Sequence, residues 1–160
     1  MEYYYLQILL HRPWTSRRHQ PIPAKGRGFR HARQTCIESA CEMARILLVF
    51  EERFGYRHLD VETSQMLPSA ALVLVFATVS RPSPDSNSNV PDVLPHLNTF
   101  LRALDELSSI HASVRQQLNS VLLTQDRWRT LHQKQLSKRR DETHTDENDV
   151  PHSKRIRWSG

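Results

Sequence analysis

The chain has 160 residues and a formal net charge of +5, room for one medium domain and little more. Only four glycines among abundant Leu, Ala, Arg, Glu and Gln favour helices over tight-turned sheets. Two cysteines exclude a disulfide framework, and the longest apolar run, Met66 to Val79, covers about 14 positions where a bilayer needs roughly 20.

Glu2 to Arg12 reads as a short helix, apolar nearly all the way round, which places it inside a larger structure. Pro13 is expected to end it, because the residue before proline is pushed out of the α region. The opening YYYLQILL lacks the basic lead and the small-residue cleavage site of a secretory signal. Pro13 to Gly28 reads as a loop, punctuated by three prolines and two glycines. A second helix is expected from about His31 to Phe54, where Ile37, Ala40, Cys41, Ala44, Leu47 and Leu48 recur at helical steps. Thr35 and Glu38 have capping-box spacing, so the helix begins there or nearer His31. Gly55 follows the last periodic residue, where a left-handed backbone position selects glycine. Cys36 and Cys41 lie five positions apart on this helix, which suits neither a disulfide nor a zinc knuckle. They read as small buried hydrophobes in a reducing compartment.

The third helix spans roughly Ser64 to Val79. Proline is tolerated only in a first turn, so its regular part is expected to begin near Pro68. Its middle, SAALVLVFATV, is apolar on every face and reads as a buried helix. Ser80 to Pro95, rich in Pro, Ser and Asn, reads as a linker. A fourth helix, about His96 to Leu107, carries the stripe Leu97, Phe100, Leu101, Leu104 and Leu107. Ser108 and Ser109 offer capping hydroxyls to a fifth, about Ile110 to Leu131. Its stripe is Ile110, Val114, Leu118, Val121 and Leu122, with Trp128 and Leu131 beyond. From Gln133 the core pattern stops, and charges of both signs read as disorder. The expected architecture is all-α: an irregular array of about five helices over residues 1–132, then a disordered charged tail over 133–160.

Reactive clusters are missing from the linear sequence. There is no glycine-rich phosphate loop, GxSxG elbow, HExxH pair or CxxC. No two of the nine histidines stand three or four apart. Glu51 and Glu52 read as a solvated helix end. No catalytic, metal or ligand-binding residue is assigned on these grounds, and an enzyme is not expected. From Arg12 to Arg33 seven bases occur without one acid, which reads as a solvated loop, with phosphate contact as the alternative. In the tail, Lys138, Arg139 and Arg140 and then Lys154, Arg155 and Arg157 are similar to the two halves of a nuclear-import signal read as an extended peptide.

The motifs, taken in order, resemble one family. YYYLQILLHRPW, with Leu9, Leu10, His11, Arg12, Pro13 and Trp14, is similar to a signature of the fungal transcription factor regulatory domain. That domain is the middle homology region of zinc-cluster factors, where a helix with spaced aromatics ends in an Ile-Leu-Leu-His-Arg-Pro-aromatic run. CIESACEMARIL, with Cys36 and Ala40, resembles the cysteine-opening helix that follows. Phe54-Gly55-Tyr56-Arg57 resembles its aromatic-glycine-aromatic turn, and Ser69, Ala70, Ala71, Leu72 and Val73 its Ser-Ala-Ala-Leu-Val helix. Leu101, Leu104, Leu107, Ser108 and Trp128 resemble its closing leucine-rich helices and terminal tryptophan. The resemblance covers about residues 1–131. Pro68 departs from it, standing where an aromatic or aliphatic residue is usual.

The family binds DNA through an N-terminal six-cysteine zinc cluster. Two cysteines cannot form it, so zinc belongs to the parent family and no cofactor is expected in this chain. The resemblance implies a nuclear, non-catalytic module. Such a module modulates transcription through protein partners or the missing N-terminal part of the same factor. It reaches DNA only indirectly, with no membrane involved. Tyr3 to Leu10 is then a core helix without its upstream neighbours. Uncovering large apolar side chains, each worth roughly 1.5–3 kcal/mol when buried, predicts a marginal or self-associating chain. The competing expectation is a stand-alone basic nucleic-acid-binding helical protein that uses the Arg12–Arg33 stretch and the tail.

Overall fold

A computed structural model describes residues 1–15, 28–79 and 92–145. Five α-helices and no strand occur among them: α1 Glu2–His11, α2 Phe29–Phe54, α3 Val61–Val79, α4 Leu94–Ser108 and α5 Ala112–Thr145. This is the all-α array expected. Residues 16–27, within the expected loop, residues 80–91, within the expected linker, and residues 146–160 lie outside the described residues, and with them Lys154, Arg155 and Arg157.

The central helix is α2, against which α1, α3 and α4 all pack, while α5 closes on α3 and α4. Its small residues Cys36, Ala40 and Ala44 fall on one buried face, where short side chains let neighbouring helices approach. The core contains Ile8 of α1, Leu47 of α2, Leu67 and Leu74 of α3, and Phe100, Leu104 and Leu107 of α4, all fully buried. The stripe of α4 was legible because each member repeats at helical spacing against one core. Both cysteines are buried and free, as expected.

Several boundaries differ from the expectation. The chain crosses Pro13 in a 3-10 turn, Arg12–Thr15, and Arg12 keeps helical angles of φ −53 and ψ −42 instead of leaving the α region. The last carbonyls of a helix lack an intrahelical donor in any case, so the N–H that Pro13 lacks is not missed there. The second helix begins at Phe29, with Gly28 before it and no side-chain cap. Thr35 and Glu38 lie inside it, and Glu38 instead accepts a 2.8 Å bond from Gln34 Nε2. A capping box needs a free first turn, and the turns upstream are already helical.

Gly55 ends α2 at φ 74 and ψ 152. The positive φ was expected. The extended ψ places the residue in a region that glycine occupies almost alone. Nothing lies within 4 Å of a Cβ built there, so backbone strain alone sets the effect of a side chain. Gly55→Ala is expected to lower stability by about 1–3 kcal/mol, read as a lower urea midpoint at unchanged m-value.

The third helix starts at Val61, well before Pro68, which sits in its interior. Asp60 caps it: one carboxylate oxygen accepts the Thr63 backbone N–H at 2.7 Å, and the other the Thr63 hydroxyl at 2.6 Å. The hydroxyl bond first, and the backbone bonds with it, hold the Asp60 carboxyl below its ordinary range. Pro68 removes the N–H that would bond the Ser64 carbonyl, a break worth about 3 kcal/mol in a helix interior. The buried face of Ser64, Leu67, Ala70, Ala71 and Leu74 outweighs it. This helix is long and apolar enough to cross a membrane by length and composition, and it packs against α2, α4 and α5.

Ser108 and Ser109 do not cap α5. Their hydroxyls donate to the Asp105 and Glu106 carbonyls of α4, each at 2.7 Å. Ile110, expected on the fifth stripe, therefore falls in the turn before Ala112 and is exposed. Val114, Leu118 and Val121 are buried, whereas Leu122 and Leu131 are exposed. Residues 133–145, expected in the charged tail, continue α5. A helix already nucleated by packing extends one bond per residue through good helix formers such as Gln, Lys and Arg. Lys138, Arg139 and Arg140 thus stand on helical, not extended, backbone.

Candidate functional site

A cavity of about 640 Å³ opens where the turn after α1, the start of α2, the middle of α3 and the middle of α5 converge. The third helix explains it. Leu67, Ala70, Ala71 and Leu74 take one face into the core. Ser69, Leu72, Val73 and Phe76, at three- and four-residue steps on the opposite face, line the cavity. Apolar character on every face therefore has two causes, a core side and a cavity side.

The wall facing α3 is mixed. Arg12 and Thr15 enter from the turn after α1, Arg33, Cys36 and Ile37 from α2, and Trp128 from α5. The Arg33 guanidinium lies 5.4 Å from the centroid of the Phe76 ring, in cation–π range. Phe76 meets Trp128 edge-on, centroids 5.4 Å apart at 73°. Burial pushes Arg33 down from its ordinary value, although arginine keeps its charge in proteins. Thr15 donates its hydroxyl to the Arg12 carbonyl at 2.7 Å, and Thr124 donates to the Ser120 carbonyl at 2.7 Å.

Cys36 borders the same space but is not poised for chemistry. Its Sγ lies 3.9 Å from the Ile8 carbonyl oxygen. Burial pushes the thiol up to about 11, with the Arg12 charge pulling weakly the other way. Burial also raises Cys41. The two do not fit a six-cysteine zinc cluster. They are buried, their thiols are held neutral, and no group of three His, Cys, Asp or Glu side chains forms a metal set among the described residues. Cys36 in the native chain is expected to react with iodoacetamide at pH 8 about 100-fold more slowly than in urea-unfolded chain, as its thiolate fraction dictates. Because its pKa is raised on folding, the stability it contributes is complete below the unfolded thiol value and lost as pH rises through about 11. The melting temperature should therefore fall from pH 9 to 11.

The residues of the sequence signature divide. Arg12, Cys36, Ser69 and Trp128 meet at the cavity. Ala40, Ala70 and Ala71 are core residues, and Gly55 forms the turn. Pro13 and Trp14 lie in the 3-10 turn. Leu9 and Leu10 are exposed. His11 is half-buried, its ring 5.9 Å from that of His31. Sequence reasoning missed Phe76 as a cavity residue and placed Arg33 in a solvated basic stretch. The 69, 72, 73, 76 spacing was the available signal for a second face.

Glu51 is also more than the solvated helix end expected. The hydroxyl of the fully buried Tyr56 donates to its carboxylate at 2.7 Å, and Arg102 of α4 donates to the same oxygen at 2.8 Å. One carboxylate thereby ties α2, the following turn and α4 together. Set against known proteins, the chain matches no family model, no curated protein and no solved structure.

Proposed function

We propose that the chain is a non-catalytic regulatory module of the kind found in fungal zinc-cluster transcription factors. It works in the nucleus, through protein partners or another part of the same factor, and reaches DNA only through them. It carries no cofactor of its own. Zinc stays with the parent family's DNA-binding cluster.

The observation that carries this reading is the meeting of Arg12, Cys36, Ser69 and Trp128 at the same cavity. They come from four motifs spread over more than a hundred residues. A helical array whose segments close on one shared space can couple that space to its outer surfaces, because packed interfaces shift between discrete arrangements. The position of Arg33 over Phe76 counts against the competing nucleic-acid reading, since it removes one base from the stretch that would meet phosphate.

The test is to fuse the full chain to a heterologous DNA-binding domain and read a reporter. The expected result is output different from that of the DNA-binding domain alone, lost in Phe76→Ala/Trp128→Ala at equal nuclear level. Output equal to that of the DNA-binding domain alone overturns the proposal.

A further inference from the structure

We propose that His96 is an acid-sensitive latch between α2 and the start of α4: neutral, it holds the contact shut, and protonated, it opens the first turn of α4. Opening uncovers Val93 and Leu97, both buried in the closed form. The inference does not rest on the transcriptional reading, and the latch would stand even with a silent reporter.

The surroundings of the ring decide its charge. His96 stands in the first turn of α4, next to Pro95, and is half-buried. Its Nδ1 is buried and has no hydrogen-bond partner among the described residues. In the neutral ring with its proton on Nε2, Nδ1 is a bare acceptor. Protonation puts an N–H there with no acceptor to meet it, and an unmet buried donor is costly, more so when charged. The first turn of a helix also carries the positive end of its dipole, which disfavours a cation. Across the contact, the Arg45 guanidinium of α2 opposes an imidazolium, while Glu42 of α2 and Asp92 before α4 favour one. Both carboxylates are already engaged, Glu42 by Arg45 and Asp92 by the Leu94 backbone N–H at 3.3 Å. Among the described residues, α3, α5 and the turn Tyr56–His58 bring no further charge to the ring. Burial first, and Arg45 after it, hold His96 below its ordinary value of 6.5. Because the value is lowered on folding, the stability that neutral His96 contributes is complete above 6.5 and lost as pH falls through the folded value.

The test uses the full chain and two readouts by nuclear magnetic resonance. The Leu97 N–H, bonded to the Val93 carbonyl at 3.0 Å, reports opening of the first turn through its hydrogen-exchange protection, corrected for the intrinsic rate. Protection should fall several-fold from pH 7.5 to 5.5, and by no more than about tenfold, because the imidazole of the open form titrates near 6.5. His96→Gln, which cannot take up a proton in this range, should remove the fall. The second readout is the titration of the His96 ring itself, whose midpoint should lie lower in the native chain than in urea-unfolded chain. It needs no variant, so the test stays decisive if His96→Gln does not fold. Protection level with pH in the wild-type chain would make His96 a packing residue only and overturn the proposal. So would an equal fall in His96→Gln, or a native midpoint at or above the unfolded one.

Discussion

Leu6→Gln/Leu10→Gln should turn a self-associating chain into a monomer whose melting temperature no longer depends on concentration. The first helix is apolar on two sides. Ile8 is fully buried, with Tyr4 and Tyr5 packed beside it against the core. On the opposite side Tyr3, Leu6 and Leu10 are 66%, 55% and 71% exposed. Their spacing, three then four, sets them along one face. Large apolar side chains aligned in this way mark a contact surface. A second copy is the partner always present in a pure sample, so association through this face raises both the sedimenting mass and the melting temperature as concentration rises. Burying one leucine contributes roughly 1.5–3 kcal/mol, so replacing both should weaken association by at least about tenfold, which requires only about 1.4 kcal/mol. A wild-type chain that sediments as a monomer and melts sharply at one temperature across all concentrations would contradict this.

Glu51→Ala should lower stability by about 2–3 kcal/mol, far more than an exposed helix-end carboxylate normally contributes. The effect comes from Tyr56. Its hydroxyl is buried and donates to Glu51 at 2.7 Å, and burial, with the Glu51 carboxylate adding to it, holds the phenol well above its ordinary pKa. Removing the acceptor leaves a buried donor with no partner, the costly half of the hydrogen-bond asymmetry. The Arg102 contact is exposed on its arginine side and adds little. The decisive comparison is the double variant Glu51→Ala/Tyr56→Phe, which removes donor and acceptor together. It should recover about 1–2 kcal/mol relative to Glu51→Ala alone. A double variant no more stable than the single one would show that the Glu51–Tyr56 bond is not what holds this corner.

The parts of this fold that were legible in the sequence share a property. Leu97, Phe100, Leu104 and Leu107 each face the same core, so periodicity alone places α4. Gly55 was legible because the backbone itself demands glycine there. The misplaced boundaries share a property too. Pro68, Ser108 and Ser109 and the Thr35–Glu38 pair are local signals. Each is decided by its neighbours: a buried face that outweighs a proline, serines that bond back to the preceding helix, and an upstream turn already formed.

The cavity was half legible. Arg12, Cys36, Ser69 and Trp128 were singled out one motif at a time, but their meeting is a property of packing. Phe76 had only the 69, 72, 73, 76 spacing as a signal, and Arg33 had none of its own. Arg33 sits in a run of bases, and only the fold turns it over a phenyl ring. Glu51 was missed for the same reason, because its partners Tyr56 and Arg102 stand on different elements.

The measurement that bears most directly on whether the chain acts through protein contacts is fluorescence anisotropy of a labelled DNA duplex titrated with the full chain at low salt. A regulatory module predicts no saturable binding, even at about 50 mM salt, where phosphate contacts are strong. Saturable binding at that salt, falling about 10³–10⁵-fold by 200 mM as six or more phosphate contacts would require, would contradict it and make the chain a nucleic-acid binder in its own right.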